Sequence, residues 1–384
     1  MAGAHLRDDV AAARRRLRWG AVALLLLGLA IGAAATVAVD AVADDDGSVD
    51  AGAVPDSAAV RPGGDGSATA TPDPGPITIA FVGDVNHEGS LRTRLSDRPE
   101  DFVGPFAELL RSADLAIANL EAALTTGGSA VPKEFTFRAP PEILDALMAG
   151  GVDVVSAANN HGIDFGTSGL DDTLATKRAR DGVGGIRVIG VGGDEDEAYA
   201  PFVADVRGQR VAVIAATQVL DSDLIRAWTA TDEQAGLASA KRVDRLVEEI
   251  ERTRADADTV IVFLHWGVET ETCPSSSQQE LARTLADAGA DLIVGTHAHR
   301  VQSGGRLGNA FVGYGLGNFL FGAVSDESAK SGVLLVTVDG RDVVDYEWKP
   351  GRISDRVPMP LDGGDAVAAV DEWNDLRSCT NLTE

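Results

Sequence analysis

DLIVGTHAHRV, residues 291–301, decides how the rest of this chain is read. Leu292-Ile293-Val294 is an apolar run of the kind a short buried strand needs, and Gly295 is expected to end it. His297 and His299 follow one residue apart, two of only six histidines in the chain. Side chains two apart on an extended segment share a face. Both imidazoles are therefore expected to enter the crevice beyond the strand's carboxyl end, where open α/β sheets bind ligands. On these residues alone, a metal site and a pair of solvated loop histidines stand equal.

The same pattern recurs along the chain from residue 77. Strands are expected in ITIAFVGD, DLAIANLE, VDVVSAANNH, IRVIGVGG, QRVAVIAATQ, ADTVIVFLHWG, ADLIVGTH, NAFVGYGLGNFLF and SGVLLVTVDG. Helices are expected between them in EDFVGPFAELLRSA, PPEILDALMAGG, SGLDDTLATKRARDG, residues 239–255 and SSQQELARTLADAG. Apolar strands alternating with helices imply an α/β fold whose sheet is buried between helices. One domain over 77–378, followed by a tail at 379–384, is the simplest division.

Polar residues collect at the carboxyl ends of these strands. Asp84 follows IAFVG; Asn119 and Glu121 end DLAIANLE; Asn159, Asn160 and His161 end VDVVSAANNH, with Asp164 beyond; His265 ends VIVFLH, with Glu269 four residues on. Each has a plain structural explanation: Asp84 as a helix cap, Asn160 in a turn, His161 as a satisfied core histidine. With His297 and His299 after DLIVGT, five such endings on one sheet edge are a poor match to random surface polarity. Carboxylates, an amide oxygen and imidazoles suit Zn²⁺, Mn²⁺, Fe²⁺ or Co²⁺. No thiolate is among them, which argues against a closed structural zinc site. Seven candidate ligands exceed one tetrahedral shell and suggest two divalent ions clamping an in-line displacement.

Six segments in order, VGDVNHEGS, NLEAALT, SAANNHGIDFG, LHWGVE, GADLIVGTHAHRVQ and GYGLGNFLF, together resemble the CapA family of poly-γ-glutamate capsule proteins, itself similar to the calcineurin-like metallophosphoesterases. The resemblance runs over nearly all of 77–378. It implies a metallophosphoesterase-like αββα two-sheet sandwich with two divalent metal ions at its strand ends. Asp84 would take the first metal-binding aspartate position and Glu121 that of a metal-bridging aspartate. Asn160 would ligate through its amide oxygen, and His265, His297 and His299 would complete the shells. His161 would donate a proton to the leaving group, with Asp84 beside it in the reacting centre. Glu269 and Gln302 would act around the ligands or on substrate, and Asn318 would hold a loop over the site. Two departures stand out. The usual Asp-x-His opening is Asp84-Val85-Asn86, with His87 one residue late, and Glu121 replaces an aspartate.

Composition restricts the partners. The 384 residues carry a formal net charge of −26, with 45% hydrophobic and 24% charged residues. That argues against a nucleic-acid binder, which needs a basic face. Residues 1–19 are locally basic, with Arg14, Arg15, Arg16 and Arg18. Residues 20–39 carry no charge, and twenty such residues span roughly 30 Å as a helix. The arginines precede this run and acidic residues follow, so the remainder is expected outside a cell membrane crossed once. A retained anchor is favoured over a signal peptide cleaved near Ala41-Val42-Ala43. Residues 40–76 are rich in Ala, Asp, Gly, Pro and Ser and read as a disordered tether. Whether Cys273 and Cys379 pair stays open, and Asn381-Leu382-Thr383 matches a glycosylation acceptor. Of three competing functions the resemblance puts first a surface component for capsule or poly-γ-glutamate-type polymer biosynthesis beside membrane synthase subunits; the alternatives are an exported metal-dependent phosphoesterase and a polymer-binding domain with a degenerate site.

Overall fold

The structure, a computed structural model, describes residues 75–181 and 185–384. The basic segment and anchor expected over 1–39, and all of the tether but its last two residues, lie outside them. Among the described residues, no helix is long and apolar enough to cross a membrane.

Fourteen strands matter for the site. In chain order they are β1 (Ile77–Val85), β2 (Leu115–Leu120), β3 (Val154–Ser156), β4 (Arg187–Ile189), β5 (Phe202–Val206), β6 (Gln209–Thr217), β7 (Thr259–Trp266), β8 (Leu292–His297), β9 (Gly304–Leu307), β10 (Ala310–Gly313), β11 (Asn318–Leu320), β12 (Lys330–Asp339), β13 (Asp342–Ser354) and β14 (Val357–Pro360). The principal helices are α1 (Ser90–Asp97), α2 (Ala107–Ser112), α3 (Ile143–Ala149), α4 (Gly166–Asp181), α5 (Val243–Arg254), α6 (Ser276–Asp287) and α7 (Gly363–Asp375).

One sheet runs β14-β13-β12-β1-β2-β3-β4, with β11 added beside the carboxyl end of β1. A second runs β9-β10-β8-β7-β6-β5. Strands β1 to β4 are mutually parallel, as are β6, β7, β8 and β10. Side-chain alternation assigns each face of each sheet its layer. Ile79 and Phe81 point to a core shared with Val213, Phe263 and Val294 of the second sheet, and the Phe81 and Phe263 rings stack with centroids 6.2 Å apart. Ala80 and Val82, one residue out of phase, pack instead with Leu91, Leu144 and Leu170 from α1, α3 and α4. On the far side, Ile214, Val262 and Ile293 meet Leu246 and Ile250 of α5 and Leu281 of α6. The layers are therefore helix, sheet, sheet, helix. Each fully buried Leu, Ile or Phe contributes about 1.5–3 kcal/mol.

Several expected elements differ. EDFVGPFAELLRSA forms two short 3₁₀ turns before α2, because Gly104 takes a φ of 79° and Pro105 follows. Residues 239–242 precede α5 rather than opening it; Ala240 N–H bonds the Thr217 carbonyl at the end of β6. Gly295 does not end its strand, which runs on to His297. A Cβ there would lie 1.8 Å from Trp266 Nε1, so the glycine admits the indole that bonds the Tyr314 carbonyl. NAFVGYGLGNFLF is not one strand. It leaves the second sheet after β10 and joins the first as β11, crossing at Tyr314–Gly317.

That crossing depends on glycine. Gly317 adopts a φ of 67°, and its carbonyl accepts from Asp84 N–H at 3.1 Å. The carbonyl lies so close to β1 that a Cβ on Gly83 would sit 1.9 Å from it. At the C-terminus, a Cys273–Cys379 disulfide with Cα atoms 5.8 Å apart closes a sequence separation of 106. A loop that long corresponds to about 4–5 kcal/mol in the chain-entropy picture. Residues 379–384 also pair through Arg306 and Thr383.

Gly83→Ala should destabilise the domain by about 2–4 kcal/mol, since the clash is with backbone rather than a mobile side chain. Gly364→Ala, where a Cβ meets nothing within 4 Å, is the control. Denaturant unfolding of both checks this, and equal midpoints would show that the 314–317 crossing yields freely.

Candidate metal centre

The parallel strands of both sheets end at one place. Asp84 at the end of β1 and Glu121 just after β2 are 0% exposed. Asp84 is held from two sides: Asn119 Nδ2 donates to its Oδ1 at 2.8 Å, and the His297 N–H donates to its Oδ2 at 3.2 Å. Glu121 differs, because among the described residues neither of its buried oxygens has a hydrogen-bond partner. Around it stand His265 at the end of β7, His297 at the end of β8, and His299. His265 Nε2 lies 3.6 Å and His299 Nε2 3.9 Å from Glu121 Oε1. Two groups of ligand atoms each lie within 4.8 Å of one another: Glu121, His265 and His297, and Asp84, Glu121 and His299. Glu121 belongs to both.

Amides fix the imidazoles. Asn160 Oδ1 is 2.7 Å from His265 Nε2, while His265 Nδ1 lies 3.2 Å from Asn119 Nδ2 and 3.1 Å from Thr296 Oγ1. Asn318 Oδ1 is 2.7 Å from His299 Nδ1, and the same amide donates to the carbonyls of Gly322 and Ser328. Asn159 donates to the Leu120 carbonyl and to Asn119 Oδ1 and accepts from His161 N–H, closing the turn after β3.

His161 is presented differently. Its Nδ1 meets Asp164 Oδ2 at 2.5 Å, leaving Nε2 aimed at Glu121 Oε1, 3.8 Å away. Asp164 is itself saturated: Phe137 N–H donates at 2.7 Å and Lys133 Nζ at 2.8 Å. Lys133 also bonds the Asn160 carbonyl. The Phe137 ring covers His161 at 4.3 Å, and the Phe321 ring covers His299 at 4.8 Å.

Electrostatics divides the histidines. Burial, reinforced by the neighbouring imidazoles, holds His265 well below its ordinary value and lowers His297 to about 3. Burial would lower His299 too, but Glu121 and Asp84 outweigh it and push it up to about 10. Burial and the Asp84 carboxylate raise Glu121 well above the usual carboxylate range. Burial lowers His161 against the pull of Asp164. At neutral pH the cluster thus offers two neutral imidazoles and holds a proton on His299.

Of the residues singled out in the sequence, Asp84, Asn119, Glu121, Asn160, His161, Asp164, His265, His297, His299 and Asn318 come together here. Asn86 and His87 lie on the loop leaving β1; Asn86 Oδ1 and His87 Nε2 are buried without a hydrogen-bond partner. Glu269 is exposed beyond β7 but still contributes to the rise at Glu121. Gln302 stands apart, accepting from Gln278 and donating to the Glu271 carbonyl. His297 and His299 do not share a face by strand alternation, because both have positive φ, 89° and 52°. The chain turns at each to aim its ring, and left-handed backbone at non-glycine residues concentrates at such sites. Sequence reading missed Lys133, Phe137, Thr296 and Phe321. The first two lie in the 125–137 loop, which has no periodicity to mark it.

Comparison with known proteins gives a consistent result. Residues 78–323 match the family described as bacterial capsule synthesis protein PGA_cap. The chain is 30% identical over 316 residues to the "Capsule biosynthesis protein CapA" of Bacillus anthracis, covering 80% of this chain and 74% of that one. It is 25% identical over 289 residues to the "PGA biosynthesis protein CapA" of Bacillus subtilis, covering 74% of each. A "Probable polyglutamine synthesis accessory protein" of Mycobacterium tuberculosis is 27% identical over 267 residues, 64% of this chain and 69% of that one. With the family match spanning the strands that carry the histidines and carboxylates above, the chain belongs to the bacterial capsule synthesis protein family PGA_cap.

Proposed function

We propose that Asp84, Glu121, Asn160, His265, His297 and His299 hold two divalent cations between the sheets, and that the centre acts on an anionic, glutamate-type surface polymer. One observation carries this reading: Glu121, shared by both ligand groups, keeps two buried carboxylate oxygens without a hydrogen bond. A buried carboxylate without a hydrogen bond costs several kcal/mol, and a shared cation pair is the partner that its surroundings fit. The donor set of carboxylate, amide oxygen and imidazole suits Mn²⁺, Zn²⁺ or Fe²⁺.

Bound there, the cations would polarise a substrate oxygen and supply local positive charge. The chain's own residues supply orientation and a proton. Asp164, steadied by Lys133 and Phe137 N–H, holds His161 with Nε2 toward the ligand cluster, where it can protonate a leaving group. Phe137 and Phe321 cover the imidazoles and exclude water. This dyad, with the helix–sheet–sheet–helix layering, supports the metallophosphoesterase-like alternative in which the chain is an exported hydrolase. The polymer role follows the relatives, whose names tie them to capsule and polyglutamate synthesis. In this reading residues 20–39 anchor the chain, and 40–76 tether the domain outside the membrane beside a polymer synthase.

Elemental analysis of the full chain after Mn²⁺ or Zn²⁺ supplementation should find close to two ions, lost in Asp84→Ala and His297→Ala. Glu121→Gln should also lose them while leaving cation-free stability equal to or above wild type, because it removes an unfavourable buried charge rather than a hydrogen bond. A metal-free wild type would overturn the reading.

Cation affinity should rise with pH. His299 stays protonated up to about 10, so cation entry must displace its proton, whereas His297, lowered to about 3, is already neutral. The proton on His299, with any held by Glu121, whose carboxyl is raised, makes affinity climb at least about tenfold per pH unit between pH 6 and 8. Calorimetry in buffers of different ionisation enthalpy checks this; a pH-independent affinity would exclude His299 from the ligand set.

A further inference from the structure

Arg356 carries a guanidinium with no assigned task. It forms, with Asp355, the two-residue tip between β13 and β14, and both residues are left-handed, at 46° and 68°. Such tips favour Asn or Gly at these positions, and neither stands here. Asp355 turns toward α1, where its Oδ1 accepts from Ser90 Oγ at 2.8 Å. Arg356 turns into a slot between two other loops. A Cβ on Gly89 would lie 2.3 Å from Arg356 Nε, and one on Gly322 would lie 2.9 Å from an Nη. Two glycines on separate loops make room for one guanidinium. Arg356 is half-buried, yet among the described residues its side chain has neither a hydrogen bond nor an ion pair. The nearby Glu88 carboxylate is taken, receiving Arg92 at 2.6 and 2.8 Å.

The slot's walls lead to the metal centre. Gly89 closes the loop that begins at Asp84 and carries the unpartnered Asn86 Oδ1 and His87 Nε2. The Gly322 carbonyl accepts from Asn318, whose Oδ1 contacts His299. Between them, Phe321 donates its N–H to the Arg356 carbonyl at 3.2 Å and lays its ring on His299.

We propose that Arg356 is an anion anchor at the mouth of this centre, taking a pendant α-carboxylate of a poly-γ-glutamate-type chain while another part of that chain reaches the imidazoles. The guanidinium fork matches a carboxylate with two parallel hydrogen bonds, which a lysine ammonium does not reproduce. The assignment rests on the polymer reading above and deepens it. A phosphate group would suit the same fork, so the test includes it.

The experiment measures binding of labelled poly-γ-glutamate, and separately of inorganic phosphate, to the Mn²⁺-supplemented full chain at fixed salt. Wild type, Arg356→Ala and Arg356→Lys are compared, with metal content and Tm recorded on the same preparations. Arg356→Ala should weaken polymer binding at least about tenfold, the size of one lost charge-assisted hydrogen-bonding partner. Arg356→Lys should fall between, and both variants should keep wild-type metal content and Tm. Equal polymer affinity in wild type and Arg356→Ala, or no polymer binding by wild type, would overturn the anchor. An effect confined to phosphate would overturn the carboxylate assignment. Arg-dependent polymer binding by a metal-free wild type would sink the metal centre and keep the anchor; full metal content with Arg-independent binding would do the reverse.

Discussion

The constraint on which the rest depends is the carboxylate of Glu121, completely buried and without a hydrogen-bond donor. A charge in that position is unfavourable by several kcal/mol unless something compensates it. Asp84 beside it makes the problem worse, and His299 answers it in part by holding a proton. No single sheet could assemble this cluster. Asp84 and Glu121 come from the first sheet, and His265 and His297 from the second, so the carboxyl ends of two parallel strand sets must meet. The packed core below, with Phe81 stacked on Phe263, sets that meeting, and hydrophobic burial across it supplies the free energy to hold an unfavourable electrostatic arrangement.

Aiming the clustered side chains requires close backbone approaches. Gly83 lets the Gly317 carbonyl reach β1 and bond Asp84 N–H. Gly295 lets the Trp266 indole bond the Tyr314 carbonyl, fixing the start of the crossing that delivers Asn318 to His299. His297 and His299 then adopt left-handed backbone, a cost of about 1–2 kcal/mol each. The His297 N–H bond to Asp84 offsets part of it and ties a second-sheet histidine to the first sheet's carboxylate. Strain, glycine contact and ligand geometry are thus one local arrangement.

Much of this was legible in the sequence because strand ends are marked. An apolar run that stops at Asp84, Glu121, His265 or His297 announces both the buried strand and the polar group at its mouth, and six such segments in order identify the family. Other features had no such mark. The NAFVGYGLGNFLF run is apolar throughout, so nothing in its composition shows that its halves belong to different sheets; only the Gly83–Gly317 contact, 234 residues apart in sequence, separates them. Lys133 and Phe137 reach Asp164 from a loop without periodicity. Gln302 follows the His-x-His motif closely, yet its amide serves the capped start of α6. Proximity in sequence misplaced it, because the backbone turns at His299.

The His161–Asp164–Lys133 arrangement bears on whether the centre reacts or only binds. A centre built to grip carboxylates needs cations and an anion anchor; it does not need a histidine whose Nδ1 is clamped by a saturated carboxylate. That clamp fixes the tautomer and leaves Nε2 directed at the shared carboxylate, 3.8 Å away. Burial lowers the ring against the pull of Asp164, so the two influences oppose each other at the group whose Nε2 faces the shared carboxylate. Lys133 raises the cost of a positive ring and holds the flap that bears Phe137 over it. A group prepared in this way is more than a binding site requires. In the proposed reading of the centre, it is the feature that speaks for chemistry over retention.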